Sequence, residues 1–298
     1  MKYACLGNSV YDTTVITDKF PIENKKQDSS DMIECGGGNA ANCAYLLASW
    51  KCDVDLMSAV GDDYYGRKIM QEYYNVQINT TYIEIKNNYN TRRCYIIANK
   101  ENNTRTIISS PKKEQRKLKI TPANDYDYIL IDGNYIETAK ELLEKNKEAT
   151  IILDLEKNIE ELIELGKQAN YIICSEDFAE NFTNLSLKNH DIKTLTECHK
   201  KLEEYFNIKN IIITLGKNGS FTKLNDYKII PTIEVNSIDT TGAGDVFHAS
   251  FAYFISHDYN IEDTIKYASI ASALSTTKVG CRYKMPTLKE VLEYDQLI

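Results

Sequence analysis

From Tyr126 onward, short unbroken apolar runs alternate with segments whose apolar positions recur every three to four residues. "YDYILIDG", "ATIILDL", "NYIICS" and "NIIITLG" are of the first kind. "YIETAKELLEKN", "IEELIELGKQ" and "TECHKKLEEYF" are of the second. Unbroken runs suit strands buried on both faces, and amphipathic helices suit the layers that cover them. The N-terminal part keeps the same rhythm: strand "YACLG", helix "NAANCAYLLASW", strand "VDLMSAVG", helix "YYGRKIMQEYYN". Two β-rich stretches, approximately residues 13–35 and 80–110, interrupt it. A small β region from Ser220 to Val235 precedes two long helices, and the first of these, Val246 to Ile255, is apolar nearly all round and belongs in the core. The pattern predicts one α/β domain over residues 1–298: a doubly wound, mostly parallel sheet with helices on both faces. The two insertions pair as a small β-sheet, used as a flap over a cleft or as a dimer surface.

Composition narrows the partners. With 298 residues, 43% hydrophobic and 26% charged, the chain has ample material for a core. A net charge of −8 argues against a nucleic-acid surface. No apolar run reaches the length of a membrane span, and the N-terminus lacks the apolar core of a signal peptide. The eight cysteines form no C-x-x-C pair, so we expect reduced thiols in a cytoplasmic protein.

The chemistry concentrates where glycines meet helices. In "SIDTTGAGDVFHASF", Gly242-Ala243-Gly244 opens the apolar helix and Asp245 sits in its first turn. Unpaired amides at a glycine-lined helix N-terminus make an anion site fit for a phosphate. Asp245 would then take the proton of a hydroxyl that meets the phosphoryl group, and the helix N-terminus should lower its pKa. An acid in a helix's first turn after a glycine turn is also a common stabilising arrangement, and spacing alone does not separate the two readings. No Walker-type G-x-x-x-x-G-K-[ST] run occurs.

A second loop, "ECGGGNAANCAYL", matches G-x-G-x-x-A through Gly36, Gly38 and Ala41, but it follows a poor strand and does not follow the first core strand, so a dinucleotide fold is rejected. Gly37 and Gly38 would instead bare backbone amides, while Asn39 and Asn42 offer neutral donors and acceptors suited to a polyhydroxylated ligand; an asparagine cap on a buried helix is the plainer alternative. A third turn, Thr214-Leu215-Gly216 with Gly219 shortly after, ends a core strand, where ligands of open parallel sheets bind.

Together these residues resemble the ribokinase-like sugar kinases, the PfkB carbohydrate kinase family. "IDTTGAGDVFHASF" is similar to its C-terminal signature and "GGGNAANCA" to its N-terminal one; "GNSVYD", "VGDDYYG" and "ITLGKNG" keep its order. The resemblance covers nearly the whole chain. It implies a doubly wound α/β domain with a β lid, and ATP as co-substrate. It makes Asp245 the catalytic base and Gly242, Ala243 and Gly244 the anion hole. Thr214, Gly216, Gly219 and Ser175 would line the nucleotide. Asp12, Gly37, Gly38, Asn39 and Asn42 would hold the sugar hydroxyls, and Arg105 would reach the phosphoryl group from the lid. Mg²⁺ is implied, as is a monovalent cation, K⁺, near Asp239, Thr241 and Gly280.

One stretch departs from the family. Where members carry Asn-x-x-Glu, this chain reads "CSEDFAEN", with Ser175 for the Asn and Phe178 for the Glu; Glu176 or Asp177 are the replacements to consider for Mg²⁺. "GGNAAN" and "TRTII" look most like the ketohexokinase and fructosamine-kinase branches, which makes a ketose or ketose derivative the expected acceptor. A nucleoside is the alternative, with lid tyrosines and Ile96 as its slot, and Arg92 and Arg93 are candidates for a phosphate on the sugar. Apolar lid residues Ile83, Ile85, Ile96 and Ile107 invite pairing of two lids in a homodimer.

Overall fold

The first strand, β1 (Lys2–Leu6), shows how the layers are made: Tyr3 and Cys5 enter one hydrophobic core, Ala4 and Leu6 the other. The period of two that defines a strand thus feeds two cores from one sheet. The computed structural model describes residues 1–294 apart from 103, 112–114, 157 and 284. After β1 the chain forms β2 (Val10–Thr17), β3 (Asp31–Gly37), α1 (Asn39–Ser49), β4 (Asp53–Gly61), α2 (Tyr64–Val76) and β5 (Ile83–Lys86). Strands β6 (Arg93–Asn99) and β7 (Thr104–Ser109) follow. The alternating region contributes β8 (Tyr128–Ile131), α3 (Ile136–Lys145), β9 (Thr150–Leu155), α4 (Glu160–Gly166), β10 (Tyr171–Ser175), α5 (Glu176–Thr183), α6 (Ile192–Phe206) and β11 (Ile211–Thr214). The chain closes with β12 (Ser220–Lys223), β13 (Tyr227–Ile230), α7 (Ala243–Ser256), α8 (Ile261–Ser275) and α9 (Leu288–Tyr294).

The large sheet has the order β13-β12-β11-β10-β9-β8-β1-β4-β5, parallel except where β12 and β13 close one edge. Successive strands run outward in one direction from β1 to β5 and in the other from β8 to β13. Strand order therefore reverses between β1 and β8, and their carboxyl ends open the crevice in which α/β sheets bind ligands. Helices α1, α2, α7 and α8 pack on one face, and α3 to α6 on the other. As its composition predicts, α7 is central: Val246, Phe247, Ala249, Phe251, Ala252 and Phe254 are all buried.

A second sheet, β3-β2-β6-β7, stands apart as the lid. Its strands begin at Val10 rather than 13 and at Arg93 rather than 80. Strand β5 does not belong to it. Ile83 pairs with Ser58 on the outer edge of the large sheet and seals the core at 7% exposure, while Glu84 pairs with Lys86 and accepts from Gln115 Nε2 and Lys119 N–H, so the 115–119 segment covers this face of the edge strand. The expected apolar lid surface changes accordingly. Ile83 lies outside the lid, as does Ile85, which is 57% exposed, and Ile96 is buried at 1%. Ile107 keeps 47% exposure, and on the opposite face of the lid Met32, Tyr95 and Ile108 are exposed as well.

The basic stretch 111–119 lies partly outside the described residues, at 112–114. Its remainder is a tether: Arg116 pairs with Glu137 and Glu161, while Leu118 is buried and its amide donates to Thr138 Oγ1. Among the described residues no helix is long and apolar enough to cross a membrane. All eight cysteines are free, and all but Cys52 are buried.

Candidate active site

Three chain segments converge on Asp245. Gly242 turns into α7 in the left-handed region at φ 78°, and a side chain there would press on Cys281 Cβ at 2.9 Å, so glycine is required twice over. The first-turn amides of α7 have no intrahelical acceptor. Ala243 N–H reaches back to Thr240 O at 3.2 Å, and Gly244 borders cavities on both of its sides. From the other wall, Gly38 (φ 101°) starts α1; a Cβ there would meet Asn8 O at 2.2 Å. One turn into α1, Asn42 Nδ2 donates to Asp245 Oδ2 at 2.7 Å.

The cavity beside Asp245, about 260 Å³, is walled by Asp12, Gly38, Asn39, Asn42, Arg105, Thr241, Gly242, Gly244 and Asp245 among others. Residues placed at this site from widely separated motifs therefore do meet. Arg105 comes from β7 and donates to Thr240 Oγ1, which clamps the lid against the turn before α7. Across Thr240 and Gly244 lies a second cavity of about 580 Å³, bordered by Thr214, Gly216, Gly219, Val235, Ala243, Phe247 and the α8 residues Ser269, Ser272 and Thr276. The two cavities meet at the N-terminus of α7, which is the geometry of a group transferred from one ligand to another.

Several roles shift. Asn42 is not a free sugar ligand: its Oδ1 accepts from Arg282 Nε at 3.3 Å and its amide holds Asp245. Asn39 Nδ2 is shared between Asp154 Oδ2 (3.2 Å) and Glu156 Oε2 (2.9 Å). Gly37 borders neither cavity; its carbonyl accepts from Arg282 Nη2. Ser175 caps α5, accepting from Phe178 N–H, and Glu176 pairs with His190 at 2.9 Å; neither lines these two cavities. Asp239 ties the turn before α7 to the segment around Gly280, accepting from Thr241 N–H at 2.9 Å and Gly280 N–H at 3.0 Å. Thr241 Oγ1 is buried without a hydrogen-bond partner.

The sequence reading overlooked Asn8, Asp132, Asn134, Asp154, Glu156 and Arg282. Asp132 follows β8 and accepts from Asn8 N–H, Ala40 N–H and Asn134. Asp154 and Glu156 stand at the end of β9, and their carboxylate oxygens lie within 4.8 Å of one another and of Asp245. A signal existed, since "LIDG" and "LDLE" place acids at the carboxyl ends of predicted parallel strands. Hard carboxylate oxygens in such a group suit Mg²⁺, and this trio, not Glu176, adjoins the meeting point of the cavities.

The expected lowering of the Asp245 pKa is reversed. Burial, and next the Glu156 charge, push it up to about 8, against the pull of the Asn42 hydrogen bond. A helix terminus contributes about 1 kcal/mol, less than one pKa unit, which burial outweighs. Burial likewise raises Asp12 to about 6, with Arg282 opposing. A base must be deprotonated, so kcat/KM should climb as pH rises through about 8. A pH–rate profile flat between pH 6 and 9 would remove Asp245 as the titrating group.

Two adjoining cavities that meet at a glycine-lined helix start, with a buried carboxylate between them, fit a phosphotransferase with an alcohol acceptor. The sequence matches the model of the pfkB family carbohydrate kinases over residues 1–288, and the chain belongs to that family. It is 25% identical to the deoxyribokinase of Salmonella typhimurium, over 99% of this chain and 98% of the relative. Its fold superposes with TM-score 0.87 on a putative ribokinase from Agrobacterium tumefaciens (24% identity, 99% and 97% of the two chains). It superposes with TM-score 0.78 on the Methanocaldococcus jannaschii nucleoside kinase (22% identity, 100% and 98%). The architecture is ribokinase-like, and the activity is ATP-dependent phosphorylation of a sugar or nucleoside hydroxyl.

Proposed function

We propose that this protein phosphorylates a small sugar, a ketose or ketose derivative, with Asp245 as general base. The observation that carries the reading is the meeting of two cavities at Gly244 and Asp245. ATP lies along Thr214, Gly216 and Gly219 with its γ-phosphoryl at the Gly242-Ala243-Gly244 amides. The acceptor hydroxyl faces Asp245, held by Asp12, Gly38 and the free Asn39 carbonyl oxygen. As the hydroxyl oxygen bonds to phosphorus, the bond to the ADP oxygen breaks and the hydroxyl proton passes to the Asp245 carboxylate. Arg105 stabilises the charge spread over the phosphoryl oxygens. Asp154 and Glu156 would hold Mg²⁺, which supplies neutralisation of the phosphate charge. Asp239, the unpaired Thr241 hydroxyl and the Gly280 segment would hold K⁺. Two lids pair through Met32, Tyr95 and Ile108, on the lid face turned away from the acceptor cavity, in a homodimer.

The test is an ADP-release assay with ATP, Mg²⁺ and K⁺ against fructose, tagatose, psicose, ribose, a fructosamine, adenosine and inosine. A strong signal with a ketose or fructosamine is expected. Turnover confined to a nucleoside would replace the acceptor class. Removing the lid clamp with Arg105→Ala should lower kcat by about 10- to 100-fold, as loss of a charge-stabilising donor does elsewhere; unchanged kcat would leave Arg105 without a catalytic role.

A further inference from the structure

Beside the acceptor cavity lies a larger one, about 590 Å³, joined to it through Asn8, Arg92 and Asn134. Tyr64, Tyr65, Tyr89 and Tyr135 line it. Its charge is opposite in character to the site it adjoins. The acceptor cavity carries the carboxyl groups of Asp12, Asp132, Glu156 and Asp245. In the larger cavity the acid among the described lining residues, Asp63, is already engaged: it caps α2 through Gly66 N–H and accepts from Thr91 N–H and Oγ1.

Among the described residues, two cations face this space. Arg93 is satisfied, donating to the Tyr65 hydroxyl at 3.0 Å and lying against the Tyr65 and Tyr95 rings. Arg92 is not: its Nε is buried without a hydrogen-bond partner, and no carboxylate of the described residues pairs with it. Gln115 Oε1, on the same wall, is also buried and unpaired. A buried unpaired guanidinium nitrogen is costly, and its fork matches an oxyanion.

We infer that the acceptor carries an anionic oxyacid group, a phosphate, sulfonate or carboxylate, remote from the hydroxyl that is phosphorylated, and that Arg92 binds it. This deepens the kinase reading and rests on it. The acid-lined cavity takes the hydroxyls, Arg92 takes the anion at the junction, and the tyrosines wall the distal end. A sugar hydroxyl or a nucleobase carbonyl accepts a hydrogen bond from Arg92 but leaves its charge uncompensated.

The test compares kcat/KM for fructose, its 1- and 6-phosphates, its 6-deoxy-6-sulfonate, a hexonate and inosine, in the native enzyme and in Arg92→Met. An anionic sugar should be the best substrate. Arg92→Met should lower its kcat/KM by about 10- to 100-fold more than that of the neutral parent, the usual weight of a charge-assisted hydrogen bond. Arg92→Lys, which keeps the charge, should recover part of the loss. The responding acid distinguishes phosphate from sulfonate and carboxylate. A neutral sugar or inosine as best substrate, with equal effects of Arg92→Met on charged and neutral acceptors, overturns the inference and leaves the kinase standing. Calorimetric binding of the same sugars separates the remaining cases. Arg92-dependent binding without turnover of any acceptor keeps the subsite and overturns the kinase reading; neither binding nor turnover overturns both.

Discussion

Replacing Asp245 by Asn will lower kcat by about 10²- to 10⁴-fold, the span that a positioned base supplies, while nucleotide binding persists. The substitution keeps the shape and leaves an oxygen for Asn42 Nδ2, which stands 2.7 Å from the native carboxylate. What is lost is the capacity to take a proton. A second readout separates this from structural damage. The folded-state pKa of Asp245 lies near 8, above the ordinary carboxylate value, so the folded protein holds a proton that the unfolded chain has released between about pH 4 and 8. Native stability contributed by this group therefore falls as pH rises through that window, and above it the ionised, buried carboxylate is a cost. Asp245→Asn removes that cost, so its Tm advantage over the native protein should grow from pH 5 to pH 9. Native kcat in the variant would dismiss the base, and a Tm difference independent of pH would dismiss the raised pKa.

The next largest effect is expected at Arg282, a residue that touches neither ligand cavity. Its guanidinium is buried, donates to Glu72 Oε2 at 2.6 Å and to Asn42 Oδ1 at 3.3 Å, and lies against the Tyr45 and Tyr73 rings at 5.1 and 5.0 Å. Arg282→Met strands the Glu72 carboxylate with only the Gly36 amide as partner. Breaking a pair buried on both sides costs about 3–5 kcal/mol; with the Glu72 side chain 23% exposed, the loss here lies toward the lower end. For a chain of this size that corresponds to a fall in Tm on the order of 10 °C. Activity should fall as well, because Asn42 loses the group that holds it toward Asp245. The double variant Arg282→Met/Glu72→Met separates the two effects: Tm should largely recover, since no charge is stranded, while kcat stays low. Recovery of both would reduce Arg282 to a structural ion pair.

Much of this was legible along the chain. The alternating apolar runs gave the strand and helix layers, because a strand buried on both faces needs unbroken apolar residues and a covering helix needs a stripe. Strand β5 was misplaced because "TTYIEIK" carries a period of two that fits any half-exposed edge, and the choice of partner is made by β4. The acids at the ends of β8 and β9 were visible as residues but not as a cluster. Ser175 and Glu176 stood at a family position, yet a helix cap and His190 occupy them.

The local sequence by itself determined the elements, the glycine turns at Gly38 and Gly242, and the acid in the first turn of α7, since backbone torsion and burial period are properties of a few consecutive residues. The tertiary structure alone decided what Asp245 faces. Its neighbours Asn42 and Glu156 come from 203 residues and 89 residues away in sequence, and their charge and hydrogen bonds, with burial, set its pKa near 8. The same holds for Arg92, whose significance lies in the absence of a partnering acid among the described residues around it. Electrostatics acts through space and through desolvation, and neither is written in sequence order.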